Sequence, residues 1–132
     1  MKLFGRKRSV KSKEKDFPSK RPLKPFYSKV AGVSHKNNDG SSRQKILKKC
    51  RVGDSLKLVR EPRNKFDKNA VKVLTEDGKQ IGYLNKHVAA EIAPRLDKGS
   101  QVDCVITDLT GGGWIFKKAR GCNIKITKYS LK

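Results

Sequence analysis

Short stretches of this chain alternate apolar and polar residues with the two-residue period of half-buried strands. From Ser55 to Glu61, Leu56 and Leu58 alternate with Lys57, and Pro62, which has no N–H to give a ladder, ends the run. From Ser100 to Leu109, Val102, Cys104 and Ile106 alternate with Gln101, Asp103 and Val105. From Cys122 to Tyr129, Ile124 and Ile126 alternate with Lys125 and Thr127. Three further runs read as strands: Phe26–Val33, Ala70–Thr75 and Gln80–Leu84. Asp77-Gly78, between the last two, is a hairpin turn signal.

Two segments change to helical spacing. Ile46, Leu47 and Cys50 share one face of a short helix from Arg43 to Cys50, capped by Ser41 or Ser42 and broken at Val52-Gly53-Asp54. Val88, Ala89, Ile92, Ala93 and Leu96 share a face of a second helix that starts near Lys86 behind the cap Asn85 and stops at Gly99. Gly111-Gly112-Gly113 is a reversal, and Trp114–Ala119 is a candidate additional strand before the last one. About six strands with two short helices make a mostly β (α+β) fold, a small and partly closed antiparallel barrel.

Residues 1–24 do not fit either period. Lys, Arg, Ser and Pro dominate there, and Pro18 and Pro22 discourage regular structure, so this segment reads as a disordered basic arm preceding one domain, 25–132. The arm has a charged start with no apolar core behind it, unlike a secretory signal. No apolar run approaches the roughly 20 residues of a membrane span.

Charge then narrows the partner. The 132 residues carry 33 Lys+Arg against 12 Asp+Glu, a net charge of +21. Up to Lys29 there are 11 cations against 2 acids, and beyond it 22 against 10, so the folded part is basic in its own right. A polyanion is the expected partner, nucleic acid ahead of an acidic membrane surface. Cys50, Cys104 and Cys122 are odd in number and lack metal-ligand spacing, as do His35 and His87; no disulfide, metal or cofactor is expected, and the compartment should be reducing. The cytoplasm or a nucleoid-associated pool fits these features, with the chain acting as a monomer.

The stretch between Leu58 and Val73 concentrates the candidate chemistry. An aromatic ring, Phe66, sits in a loop with Asn64, Asp67, Asn69 and the cations Arg63, Lys65 and Lys68. Phe66 is either a stacking platform for a base or a plug folded over the core. Asp67 is either an acceptor for a nucleotide hydroxyl or an Asx cap of its own loop. Asn64 and Asn69 suit loop geometry better than ligand contact. Arg60, Arg63, Lys65 and Lys68 form an electrostatic rim. Trp114 is a second stacking platform or, the favoured reading, a core residue.

The order Val30-Ala31-Gly32-Val33, helix, Glu61-Pro62-x-Asn64-x-Phe66-Asp67-x-Asn69-Ala70, then Gly82-Tyr83-Leu84, resembles the HIRAN domain, over about Phe26 to Tyr129. The resemblance implies an OB-like barrel that binds single-stranded DNA. In eukaryotic members the domain is fused to a helicase-type ATPase and captures the 3′ end at stalled forks, so a helicase or nuclease acting in trans is among the expected partners. By position, Phe66 looks like the family's stacking aromatic, Asp67 like the carboxylate beside the terminal sugar hydroxyl, and Lys86 like a phosphate contact, with Asn64 in the same loop and Tyr83 on the same rim. Where 3′-end binders carry a basic residue and then an aromatic, this chain has Ser34-His35, which bears on end capture more than on general strand binding.

Other classes fit less well. Asp67 with Asp77-Gly78-Lys79 loosely matches a D…DxK nuclease pattern, but a hairpin at Asp77-Gly78 would carry Asp77 away from Asp67. A basic protein-interaction adaptor, or an RNA-binding barrel without end recognition, remains the alternative to a DNA-repair or replication module.

Overall fold

The structure is a computed structural model, and it describes residues 20–113 and 118–130. Six antiparallel strands close into a barrel: β1 (Phe26–Ala31), β2 (Ser55–Arg60), β3 (Val71–Thr75), β4 (Gln80–Leu84), β5 (Val102–Thr110) and β6 (Gly121–Lys128). Their order around the barrel is β1-β4-β3-β2-β5-β6, closed by the β1–β6 pairing from Phe26↔Ile126 to Lys29↔Asn123. The barrel is therefore fully closed, where the sequence suggested partial closure. Of the candidate strand Trp114–Ala119, residues 114–117 lie outside the described residues, and 118–120 carry no strand.

The two-residue period translates directly into packing. Leu56 on β2, Val71 and Val73 on β3, Cys104 and Ile106 on β5, and Cys122, Ile124 and Ile126 on β6 are all buried. Each buried aliphatic side chain of this size contributes about 1.5–3 kcal/mol relative to leaving it in water. The helix α2 (Lys86–Asp97) lays Ala89, Ile92 and Ala93 against β2, β3 and β5. Its cap is Asn85, whose Oδ1 accepts from the Val88 N–H at 3.0 Å while Nδ2 donates to the Ser28 hydroxyl at 2.9 Å. The short helix α1 (Arg43–Lys48), capped by Ser42, packs on β4 through Leu47.

Two glycines shape the region that matters later. A Cβ on Gly82 would stand 2.4 Å from the Ala31 carbonyl oxygen and 2.6 Å from Val30 Cγ1, so β4 approaches β1 this closely only with glycine there. At Gly32 φ is +71°, a conformation that L side chains rarely adopt; it ends β1 two residues before the expected Val33 and turns the chain into the loop of Ser34 and His35.

The segment before β1 pairs with the end of β6: Leu23 donates its N–H to the Lys128 carbonyl and Ser130 donates to the Arg21 carbonyl, both at 2.8 Å. The first 19 residues of the expected arm lie outside the described residues.

Candidate functional site

The loop from Glu61 to Ala70 is braced from inside. The Glu61 N–H donates to the Ala70 carbonyl at 2.9 Å, closing the loop at its base. Asn64 then organises the tip: its Oδ1 accepts from the N–H groups of Phe66 (2.8 Å) and Asp67 (3.0 Å), and its Nδ2 donates to Glu61 Oε1 at 2.9 Å. Asp67 Oδ1 accepts from the Asn69 N–H at 2.9 Å, and Ala70 donates to the Asp67 carbonyl at 3.0 Å. The bonds to Asn64 Oδ1 and Asp67 Oδ1 use short polar side chains to satisfy loop N–H groups that a ladder cannot reach.

Those bonds hold Phe66 outward. Its side chain is 90% exposed, the most exposed large hydrophobic residue among those described. The plug reading therefore fails, and the ring is offered to solvent on a fixed backbone. Asp67 does act as an Asx cap, through one oxygen; its Oδ2 has no hydrogen-bond partner among the described residues. Arg60, read as part of a charged rim, is instead a strut. Its guanidinium donates to the carbonyls of Ala70 (2.8 Å) and Lys68 (3.0 Å) and pairs with Asp97 of α2 at 3.0 Å.

A continuous set of contacts links this loop to the other candidate residues. Glu61 Oε1 also accepts from the Tyr83 hydroxyl at 2.6 Å, and Glu61 Oε2 lies 3.6 Å from Lys72 Nζ. The Tyr83 ring lies under the Arg43 guanidinium, 5.4 Å from the ring centroid. Arg43 is buried, with Nε on Asn37 Oδ1 at 2.6 Å and Nη1 on the Gly32 carbonyl at 2.8 Å. That same carbonyl accepts the His35 N–H at 3.1 Å, fixing the turn that exposes Ser34 and His35. Register agrees: Tyr83 is opposite Ala31 on β1 and Lys72 on β3. The Phe66 loop and the Ser34-His35 turn thus flank Tyr83 from its two sides.

The electrostatics of the link follow from these partners. Burial raises the Glu61 carboxyl, but the hydrogen bonds from Tyr83 and Asn64 and the nearby Lys72 outweigh it, leaving the pKa below the usual value. Burial, and then the bond it donates to Glu61, push the Tyr83 hydroxyl up, so it stays protonated as the donor.

Of the remaining candidates, Lys86 is exposed at the first position of α2, three residues beyond Tyr83, and Arg63 is exposed in the loop. Trp114 lies outside the described residues. Glu61 and Arg43 were not among the candidates. Glu61 opens the Glu61-Pro62-x-Asn64 motif, whereas Arg43 reads in sequence as an ordinary exposed cation at a helix start.

Other arrangements are not assembled. Asp67 and Asp77 stand at opposite ends of β3, with Asp77 bonded to the Thr75 hydroxyl in the β3–β4 turn. Among the described residues no group of three or more His, Cys, Asp or Glu is placed to hold a metal ion. No helix there is long and apolar enough to cross a membrane.

Comparison with known proteins agrees with this geometry. The model of the HIRAN domain matches residues 24–114. The helicase-like transcription factor of Oryctolagus cuniculus is 48% identical over 50 residues, which are 37% of this chain and 5% of that protein. A Fanconi-associated nuclease 1 homolog of Arabidopsis thaliana is 37% identical over 46 residues, 35% of this chain and 5% of its own. The match thus spans a small part of these relatives' length. Among solved structures, the crystal structure of the HIRAN domain of human HLTF superposes with a TM-score of 0.64 at 22% identity, covering 85% of this chain and 80% of that one. The solution structure of the HLTF HIRAN domain in its DNA-bound conformation gives 0.55 at 21% identity, covering 89% and 84%. The chain belongs to the HIRAN domain family.

Proposed function

We propose that this HIRAN-family chain is a DNA-binding module that takes a single-stranded segment, with a free 3′ end, across the rim formed by the Phe66 loop, Tyr83 and the Ser34-His35 turn, in the repair or replication of damaged or stalled DNA. The observation that carries the proposal is the Phe66 ring, 90% exposed on a loop braced by Asn64 and Arg60. Solvent-exposed aromatic surface on a rigid loop of a strongly basic domain suits a base, whose stacking contributes about 1–3 kcal/mol whatever its identity. Asp67 Oδ2 is the acceptor for a terminal sugar hydroxyl, Lys86 and Arg63 contact phosphates, and His35 offers a second, smaller stacking face opposite Phe66. The DNA-bound HLTF neighbour supports DNA as the polyanion. Binding is favoured over metal-dependent hydrolysis because β3 holds Asp67 and Asp77 apart.

The test is a fluorescence anisotropy titration of short oligonucleotides ending in a 3′-hydroxyl or a 3′-phosphate, alongside blunt duplex and RNA. The 3′-hydroxyl strand should bind tightest, and Phe66→Ala should weaken it about 5- to 150-fold, the equivalent of one lost stack. Equal affinity for all four, varying only with salt, would overturn end recognition. An unchanged Kd in Phe66→Ala would overturn the site.

A further inference from the structure

Away from the Phe66 loop, a groove of about 1040 Å³ opens between α1, the segment leading into it, the start of β2 and the β3–β4 turn. Its floor is apolar, made by Ile46, Cys50 and Leu56, and its α1 side carries Lys36, Lys45, Lys48 and Lys49. Lysines over an apolar floor match a strand with phosphates along one side and base faces along the other. Three acids also line the groove, but two are engaged: Asp54 Oδ2 accepts the Arg51 N–H at 2.9 Å, and Asp77 is tied to Thr75 and lies 3.9 Å from Lys79 Nζ. Only Glu76 is left over, on the turn away from α1. Lys36, which lines the groove, directly follows His35 of the proposed rim and is bridged to Ser42 at the α1 cap.

We propose that this groove is a second nucleic-acid subsite, carrying the internal nucleotides of the strand whose end is held at Phe66. The inference rests on the DNA-binding reading, yet it fails separately from it. The rim alone accounts for one or two nucleotides; the groove lengthens the footprint and adds phosphate contacts from α1.

The experiment uses the full chain with oligothymidylates of about 4 and about 12 nucleotides, lengths that bracket a one-barrel site. The longer strand should bind more tightly than the shorter. In the variant Lys45→Gln/Lys48→Gln/Lys49→Gln, whose exposed positions leave the fold intact, only the longer strand should weaken. Each lost phosphate contact removes about 0.7 from the slope of log K against log salt, so the three together remove about 2. Between roughly 50 and 200 mM salt, the unaltered chain should therefore lose about 20-fold more affinity for the longer strand than the variant does. Cys50 gives an independent reading. Cys104 and Cys122 are buried with thiols pushed up to about 12, which leaves Cys50 as the thiol open to slow alkylation. The longer strand should protect it and the shorter should not. Equal affinity for both lengths, a salt slope unchanged in the variant, or protection of Cys50 by an acidic peptide but not by the longer strand would overturn the subsite. Loss of short-strand binding in Phe66→Ala alone would leave the rim standing even then.

Discussion

Asn64 is the residue whose removal best separates loop geometry from ligand contact. Asn64→Ala deletes three hydrogen bonds: two accepted from the Phe66 and Asp67 N–H groups and one donated to Glu61. Each is worth about 1 kcal/mol net, and water recovers part of this because the loop is half-exposed, so a global loss of about 1–2 kcal/mol is expected in urea unfolding. The loop remains anchored at its base by the Glu61–Ala70 bond and by Arg60, so the barrel stays folded and the tip alone gains freedom. A loss of about 1.4 kcal/mol of bracing at the tip lowers the ratio of braced to open loop about tenfold, so Kd for single-stranded DNA rises by up to about tenfold, with the Phe66 ring still present. Hydrogen exchange reads the cause: the Phe66 and Asp67 amides should exchange faster in Asn64→Ala, while core amides such as Ile124 should change only by the global loss. Asn64→Asp restores the acceptor but sets a carboxylate beside Glu61. It should therefore recover amide protection while leaving some of the stability deficit. Unchanged exchange at Phe66 and Asp67, or a stability loss beyond about 4 kcal/mol, would refute this account of the loop.

Two further outcomes follow from the surrounding structure. Tyr83→Phe removes a hydrogen bond from a carboxylate whose pKa is lowered in the folded state; such a group adds stability above its unfolded value, near 4.5, and loses it as pH falls through the folded value. The variant should be less stable at neutral pH by about 1–2 kcal/mol, and the gap should narrow in acid, as followed by denaturant midpoints from pH 7 to pH 3. An equal gap at both ends of that range would remove Glu61 from the explanation. Gly82→Ala forces a methyl against the Ala31 carbonyl, and thermal unfolding should show a loss of about 3 kcal/mol, with binding reduced because Tyr83 shifts with β4.

The strands were legible because each repeats its pattern against one core. Leu56 and Leu58 in β2, the Cys104 and Ile106 pair in β5, and Ile124 and Ile126 in β6 all point where their alternation indicated, although Leu58 is only partly buried. Asn85 and the Asp77-Gly78 turn were legible because their chemistry is local. What sequence spacing did not reveal were contacts between distant segments. The fate of Phe66 depended on Asn64 turning the tip outward, and a polar loop with one aromatic is compatible with either outcome. Arg43 looks like any surface cation until Gly32 and Asn37 of the loop before it and Tyr83 of β4 converge on it. Arg21–Leu23 carry no strand pattern, and their hydrogen bonds are to Lys128 and Ser130, far away in sequence.

That last pairing has an architectural consequence. With Arg21 bonded to Ser130, the two ends of the barrel unit emerge side by side. A host polypeptide can receive such a unit within a surface loop at little cost in closure entropy, since the inserted body spans almost no distance between its points of attachment. Its rim can then project from the host without either fold being stretched. This makes the barrel well suited to reuse as a cassette in chains of very different length, and the helicase-like and nuclease relatives carry their matching segment as about a twentieth of a much larger protein.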